Sequence, residues 1–206
     1  MNGNSTKVIL VRHGQTEWNR VERFRGRADI ALNSTGRRQA KAVARRLANL
    51  GDVAMVYSSP LLRCLDTATP IAVAAGAEMR PLPGIIDIDY GEWQGLSPAE
   101  AEERYPDIFP AWQEAPHAVP IPGGESLAAV RERAVSALEG VVQLYSGQTI
   151  VLVTHKVICK VLVCHALELD NCHFWRMEQD NGAVNIFVRL AGGYLIKCVN
   201  DTCHLR

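Results

Sequence analysis

The stretch Val11-Arg12-His13-Gly14-Gln15-Thr16-Glu17-Trp18-Asn19 gathers an imidazole, a guanidinium and an amide around one glycine. An imidazole becomes a nucleophile when one ring nitrogen is held by a hydrogen bond and the other faces an electrophile. Arg12 carries a planar fork of donors suited to phosphate oxygens, and Gly14 allows the backbone close to a ligand. A second histidine, His155, follows the apolar run Thr149 to Thr154. Arg63 falls in the first turn expected of a helix opening at Pro60, where free backbone N–H groups favour phosphate. A lone histidine at a strand end ordinarily just makes a hydrogen bond; the surrounding pattern favours nucleophilic chemistry at His13.

These residues need a scaffold. Lys7 to Arg12, Val53 to Ser58 and Thr149 to Thr154 read as buried strands, and His13 and His155 each follow the end of one. Asn33 or Ser34 caps a helix reaching about Leu50, with Gly51 as its stop. Ser59 supplies an N-cap with Pro60 at the first helical position, and Pro70 ends or kinks that helix. Ser97-Pro98-Ala99-Glu100 is a capping-box pattern. Glu125 to Tyr145 and about Val157 to Leu167 read as helices. Ala183 to Leu190 and Tyr194 to Asn200 read as a C-terminal β-hairpin. The alternation predicts an α/β/α three-layer sandwich with a mostly parallel sheet, in a single domain over residues 1–206 with a small cap at about 85–124. In such a sheet ligands bind beyond the carboxyl ends of the strands.

Composition sets the bounds. Lys plus Arg number 22 and Asp plus Glu number 22, so no overall basic field draws the chain to nucleic acid or to an anionic membrane. No apolar run is long enough to span a bilayer, and the N-terminal stretch does not read as a secretory leader. The six cysteines form no CxxC pair and fit no standard zinc spacing. They read as reduced thiols of a cytoplasmic protein, and no metal or cofactor is expected.

The chain resembles the histidine phosphatase superfamily, the phosphoglycerate mutase-like group, along nearly its whole length. Arg12-His13-Gly14 matches that family's N-terminal signature, Arg25-Gly26 with Asp29 and Leu32 its phosphate loop, and Ser58 to Arg63 with Thr67-Ala68 its second arginine segment. Gly123-Gly124-Glu125-Ser126 and Val153-Thr154-His155 match later blocks. The resemblance implies that His13 becomes phosphohistidine and that Arg12, Arg63 and His155 hold the phosphoryl oxygens. It further implies that Asn19, Thr16, Arg25 and Gly26 bind substrate, with Lys156 adding charge at the pocket rim or pointing away. Two arginines and a second histidine would supply positive charge around three phosphoryl oxygens without a metal. The proton donor falls at Asp87, where the family carries glutamate, with Asp89 and Glu92 as alternatives. Trp18 and Trp93 are expected to pack in the core or cap, and Glu17 either orients an arginine or is solvated.

The implied activity is hydrolysis of small phosphorylated metabolites through phosphohistidine. A cofactor-dependent phosphoglycerate mutase and an inactive phosphate-binding protein are the alternatives. The short cap favours hydrolysis, because a mutase must keep water from the phosphohistidine. Pro116-His117, Gly123 to Leu127 and Thr202 to Leu205 resemble the metal-independent phosphoserine phosphatases, although Tyr90 stands where that group carries histidine. Sugar phosphates and α-ribazole phosphate stay open as substrates, as does a homodimer formed through the hairpin.

Overall fold

The computed structural model describes residues 5–48 and 52–206. Strands β1 (Thr6–Arg12), β2 (Val53–Ser58), β3 (Met79–Pro81) and β4 (Thr149–Thr154) run parallel, while β5 (Val184–Leu190) and β6 (Gly193–Asp201) form an antiparallel hairpin. Together they make one sheet in the order β3-β2-β4-β1-β5-β6.

The inner strands are apolar on both faces because helices cover both. Side chains alternate across a strand, so β1 and β4 divide their residues between two cores. Ile9, Val11, Val151 and Val153 pack with Val43 and Leu47 of α2 (Ser34–Leu47) and Ala68 and Ile71 of α3 (Leu62–Ala75). Val8, Leu10, Ile150 and Leu152 pack with Leu138 and Val141 of α6 (Leu127–Leu144) and Ile158 and Leu162 of α7 (Lys156–Ala166). This is the three-layer α/β/α arrangement expected.

Several boundaries differ from expectation for local reasons. β3 was not anticipated; it is short, ends in proline and lies at the sheet edge, where a missing N–H is tolerated. Ser59 does not cap α3, and Pro60 lies outside it. The helix begins at Leu62, whose N–H donates to Asp29 Oδ1 at 2.8 Å. Pro70 does not end α3, which continues to Ala75. The carbonyl that Pro70 leaves unbonded is that of exposed Asp66, where water can serve. Glu125 stands outside α6, which Ser126 caps. Asn33 caps α2 as expected, while the predicted end at Leu50 and Gly51 lies outside the described residues.

The hairpin joins the main sheet, β5 pairing antiparallel with β1, so it covers an edge within the subunit. The cap carries the expected capping box at α4 (Pro98–Arg104) and a further helix, α5 (Ile108–Glu114). Its centre is Trp93, fully buried against Phe109 and Trp112 with ring centroids 5.5 Å away in each case. These rings belong to the same apolar cluster as Leu10 and Leu152, so the cap is packed onto the sheet layer.

Candidate active site

Parallel register pairs Arg12 with Thr154, so His13 and His155 leave adjacent strands side by side. His13 N–H donates to Thr154 O at 2.9 Å, and the two imidazole centroids stand 5.3 Å apart. The turn after β1 is fixed by a close backbone approach. A Cβ on Gly14 would lie 2.5 Å from Gly36 O, and one on Gly36 would lie 2.1 Å from Gln15 O. The lack of a Cβ at Gly14 thus admits the first turn of α2. Gly14 N–H also donates to Thr67 Oγ1 at 3.1 Å, tying the turn to α3.

His13 Nδ1 lies 2.7 Å from Gly14 O. A carbonyl only accepts, so Nδ1 carries the proton and Nε2 keeps its lone pair. Nε2 is buried without a hydrogen-bond partner. Burial first, then the charges of Arg63, Arg12 and Arg25, hold the His13 pKa well below its ordinary value. The low pKa favours the neutral imidazole, with Nε2 buried and free and the charges of three arginines acting on the ring.

Arg63 is wholly buried. Its Nε donates to His155 Nδ1 at 3.2 Å, Nη1 to Ala28 O at 2.8 Å, and Nη2 to Gly26 O at 2.7 Å and Asp87 Oδ2 at 3.0 Å. His155 is brought to His13 as expected, but both its nitrogens face protein. Nδ1 accepts from Arg63, while Nε2 donates to Ser59 Oγ at 2.7 Å. Burial, followed by Arg63, keeps its pKa well below normal, consistent with that neutral tautomer. Gly26, at φ 50°, carries the carbonyl that receives Arg63. It positions an arginine where substrate contact was anticipated.

Asp87 is 3% exposed. Its Oδ1 accepts from Ile88 N at 3.0 Å, and Oδ2 meets Arg63. Burial raises its pKa against the opposing pull of Arg63 and Arg25. The alternative carboxylates are engaged elsewhere: Asp89 with Gly91 N–H and Arg27, Glu92 with the Tyr105 hydroxyl. Arg133 fixes the backbone of this segment, donating to the carbonyls of Gly84, Ile86 and Asp87 and pairing with Glu125. Glu125 in turn accepts from Asp89 N at 2.9 Å.

A cavity of about 590 Å³ opens beside these groups. Arg12, Asn19, Arg25, Tyr90, Lys156 and Asn181 line it together with Phe24, Phe109, Trp112, Phe174 and Trp175. Arg12 donates through Nη1 to Gln179 O and keeps a buried Nε without a partner, as does Arg25. Burial, then Arg25, pushes Arg12 down to about 10, still charged at neutral pH. Asn19 Oδ1 accepts from Thr16 N, Thr16 Oγ1 and Asn181 Nδ2, so its NH2 group is what it can offer a ligand. Thr16 is fully buried and caps helix α1 (Glu17–Arg20); it holds Asn19 and does not line the cavity. Lys156 stands on the rim, paired with Glu178 at 3.3 Å. Glu17 is exposed and pairs with Arg20, the solvated reading.

Asn181, Gln179 and Arg133 carry no sequence signal, and Ser59 reads in sequence as a helix cap and part of the second arginine segment, not as a partner of His155. Each is a polar residue of ordinary type, and only its neighbours across the fold give it a role. All six cysteines are free. Among the described residues, Asp170, Cys172 and His173 bring three potential metal-ligand atoms within 4.8 Å of one another. Asp170 and Cys172 line a separate surface hollow, and Asp170 Oδ1 lies 3.0 Å from His173 Nδ1 in a hydrogen bond.

Known proteins similar to this chain are phosphatases and proteins of the same fold. Phosphoserine phosphatase 1 of Hydrogenobacter thermophilus is 40% identical over 199 residues, covering 97% of this chain and 94% of that protein. The structure of Bacillus stearothermophilus YhfR superposes with a TM-score of 0.92 at 28% identity, covering 98% of this chain and all of that one (100%). Phosphoserine phosphatase of Entamoeba histolytica, in complex with 3-phosphoglyceric acid, gives a TM-score of 0.87 at 29% identity over 98% of this chain and 100% of that one. The family model for the histidine phosphatase superfamily (branch 1) matches residues 8–202, and the chain belongs to that family.

Proposed function

We propose that this phosphatase hydrolyses small phosphomonoesters through a phosphohistidine formed at His13 Nε2, with Asp87 moving the protons. The observation that carries the reading is the unpartnered, buried Nε2 of His13, whose pKa is held well below normal by burial and by the charges of Arg63, Arg12 and Arg25. Arg12, Arg25 and the Asn19 amide receive the phosphoryl oxygens, and the arginines stabilise the charge spread over them in the transition state. Nε2 attacks phosphorus in line as the ester P–O bond breaks. The departing alkoxide takes the proton of Asp87, whose buried setting favours the protonated acid. The resulting carboxylate then removes a proton from water, whose oxygen attacks phosphorus as the P–N bond breaks. Inorganic phosphate leaves, and His13 and protonated Asp87 are restored.

In this reading Arg63 and His155 act as a unit. His155, held by Ser59, fixes Arg63, and Arg63 links the nucleophile to the acid. The phosphoserine phosphatase relatives and the short cap both support hydrolysis over mutase chemistry. p-Nitrophenyl phosphate in EDTA, assayed beside His13→Ala, tests the proposal. Turnover should survive the chelator and vanish in the variant; turnover that persists in His13→Ala would refute the phosphohistidine route.

A further inference from the structure

The cavity is chemically divided. Arg12, Arg23, Arg25 and Lys156, the amides of Asn19, Gln113 and Asn181 and the carboxylate of Glu22 are its charged and amide groups, whereas Phe24, Phe109, Trp112, Phe174 and Trp175 give it an aromatic wall. Trp175 is the one aromatic residue among the exposed large apolar side chains of the described residues, at 41% exposure, and it lines this cavity. A tryptophan that joins other aromatic rings in a concave wall is the kind of lining that binds an apolar part of a ligand. Trp175 is held on several sides. Trp112 of the cap meets it edge-on at 5.2 Å and 87°, and Phe174 at 4.7 Å and 76°. Lys160 of α7 sets its ammonium 4.5 Å from the Trp175 ring centroid and 4.8 Å from that of Phe174. Lys160 is wholly buried and its Nζ has no hydrogen-bond partner, so the two ring faces, with the nearby carboxylate of Glu178, compensate its charge, while burial lowers its pKa to about 8.

We propose that Trp175, backed by Lys160, is the specificity-determining wall of the leaving-group pocket. The substrates it selects are phosphomonoesters whose alcohol carries an apolar ring or chain, over those of short polar alcohols. The inference rests on the phosphatase reading above. A cavity of about 590 Å³ falls in the range that encloses drug-sized ligands and exceeds what a short polar alcohol fills. Polar substituents set against this wall would lose water without gaining a partner, whereas a flat apolar group gains contact with Trp175 and Trp112. Lys160 is a positioning residue here: it touches the rings, not the substrate.

The test compares kcat/KM for 2-phenylethyl phosphate and ethyl phosphate in EDTA. The two alcohols are similar leaving groups, so the ratio reports the pocket more than the chemistry. The wild-type ratio should be at least about tenfold in favour of the phenylethyl ester. Trp175→Ala should cut it by about fivefold or more, through KM. Lys160→Met should move it the same way, and Lys160→Arg, which keeps a cation for the rings, should recover it. Equal wild-type rates, or a ratio that Trp175→Ala leaves unmoved, would overturn the inference while leaving the phosphatase reading intact. The wild-type ratio decides by itself if a variant does not fold. Failure to hydrolyse either ester would overturn both readings.

Discussion

Arg63 Nη2 and Asp87 Oδ2 stand 3.0 Å apart inside the protein, with side-chain exposures of 0% and 5%. The pair joins the second arginine segment to the loop that carries Asp87, the proposed acid, two parts of the chain with no local relationship. Breaking such a pair by removing one partner leaves the other charge buried and uncompensated.

Arg63→Met should therefore cost about 3 kcal/mol of stability near pH 8. Without Arg63, the Asp87 pKa rises further, and a carboxyl with a raised folded-state pKa destabilises the fold above that pKa. The penalty should shrink as pH falls and Asp87 takes up a proton. Urea denaturation of variant and wild type at pH 5 and pH 8 measures the difference. The same variant should lose about a hundredfold or more in kcat/KM through the missing charge near His13.

Asp87→Asn separates the two proton transfers from nucleophilic attack. Alkyl phosphates should lose about 10²–10⁴-fold in kcat/KM, since a strongly basic alkoxide needs an acid. p-Nitrophenyl phosphate should lose much less in the first step, because its leaving group is stable as the anion. Rapid-quench kinetics with that ester should show a burst and an accumulating phosphohistidine, which water attacks slowly without a base. Equal losses for both ester classes would argue against Asp87 as the acid.

The pH profile follows from two shifts of opposite sign. His13 is held well below its ordinary pKa, so the nucleophile stays neutral far into the acid range. Asp87 is raised, so the acid keeps its proton to higher pH than a free aspartate. For an alkyl ester, kcat/KM should fall as pH rises through the Asp87 pKa and fall again only when His13 protonates. The maximum should lie on the acid side of neutrality. In Asp87→Asn the fall at higher pH should disappear.

Ser59→Ala removes the acceptor of His155 Nε2–H. The buried N–H is then left with only the weak acceptor Cys64 Sγ at 3.5 Å, which should cost about 1 kcal/mol or more, read as a lower melting temperature. Ser59→Thr, which keeps the hydroxyl, should recover part of the loss. Because His155 fixes Arg63, kcat should fall more than KM rises.

Gly36→Ala places a methyl group 2.1 Å from Gln15 O and 2.7 Å from Gln15 N, both backbone atoms that cannot swing aside. Destabilisation of about 1–3 kcal/mol or more should follow, visible in thermal melts. Activity should fall with it, because the displaced segment directly follows His13 and Gly14.

The sequence by itself determined the inner strands of the sheet and pointed to His13 as the candidate nucleophile. Runs such as Val8 to Val11 and Ile150 to Val153 are continuous because both faces are buried, and a strand buried on both faces must sit inside a helix-covered parallel sheet. Arg12-His13 at the end of one such run and His155 at the end of another then had to emerge near the same rim. Tertiary structure decided which groups those residues meet. The Ser59 hydroxyl looks like a helix cap in sequence, yet the strand register delivers it to His155, and Asp29 caps α3 from elsewhere in the chain. Gly14 and Gly26 read as ligand-facing, yet one admits the backbone of Gly36 and the other presents its carbonyl to Arg63. The Arg133–Glu125 clamp on the Asp87 loop and the Lys160–Trp175 contact have no local signature at all. Hydrophobic period and strand-end chemistry are properties of neighbours along the chain. Hydrogen-bond partners inside a closed site are chosen among all polar groups that folding brings within about 3 Å, and that choice exists only once the layers have packed.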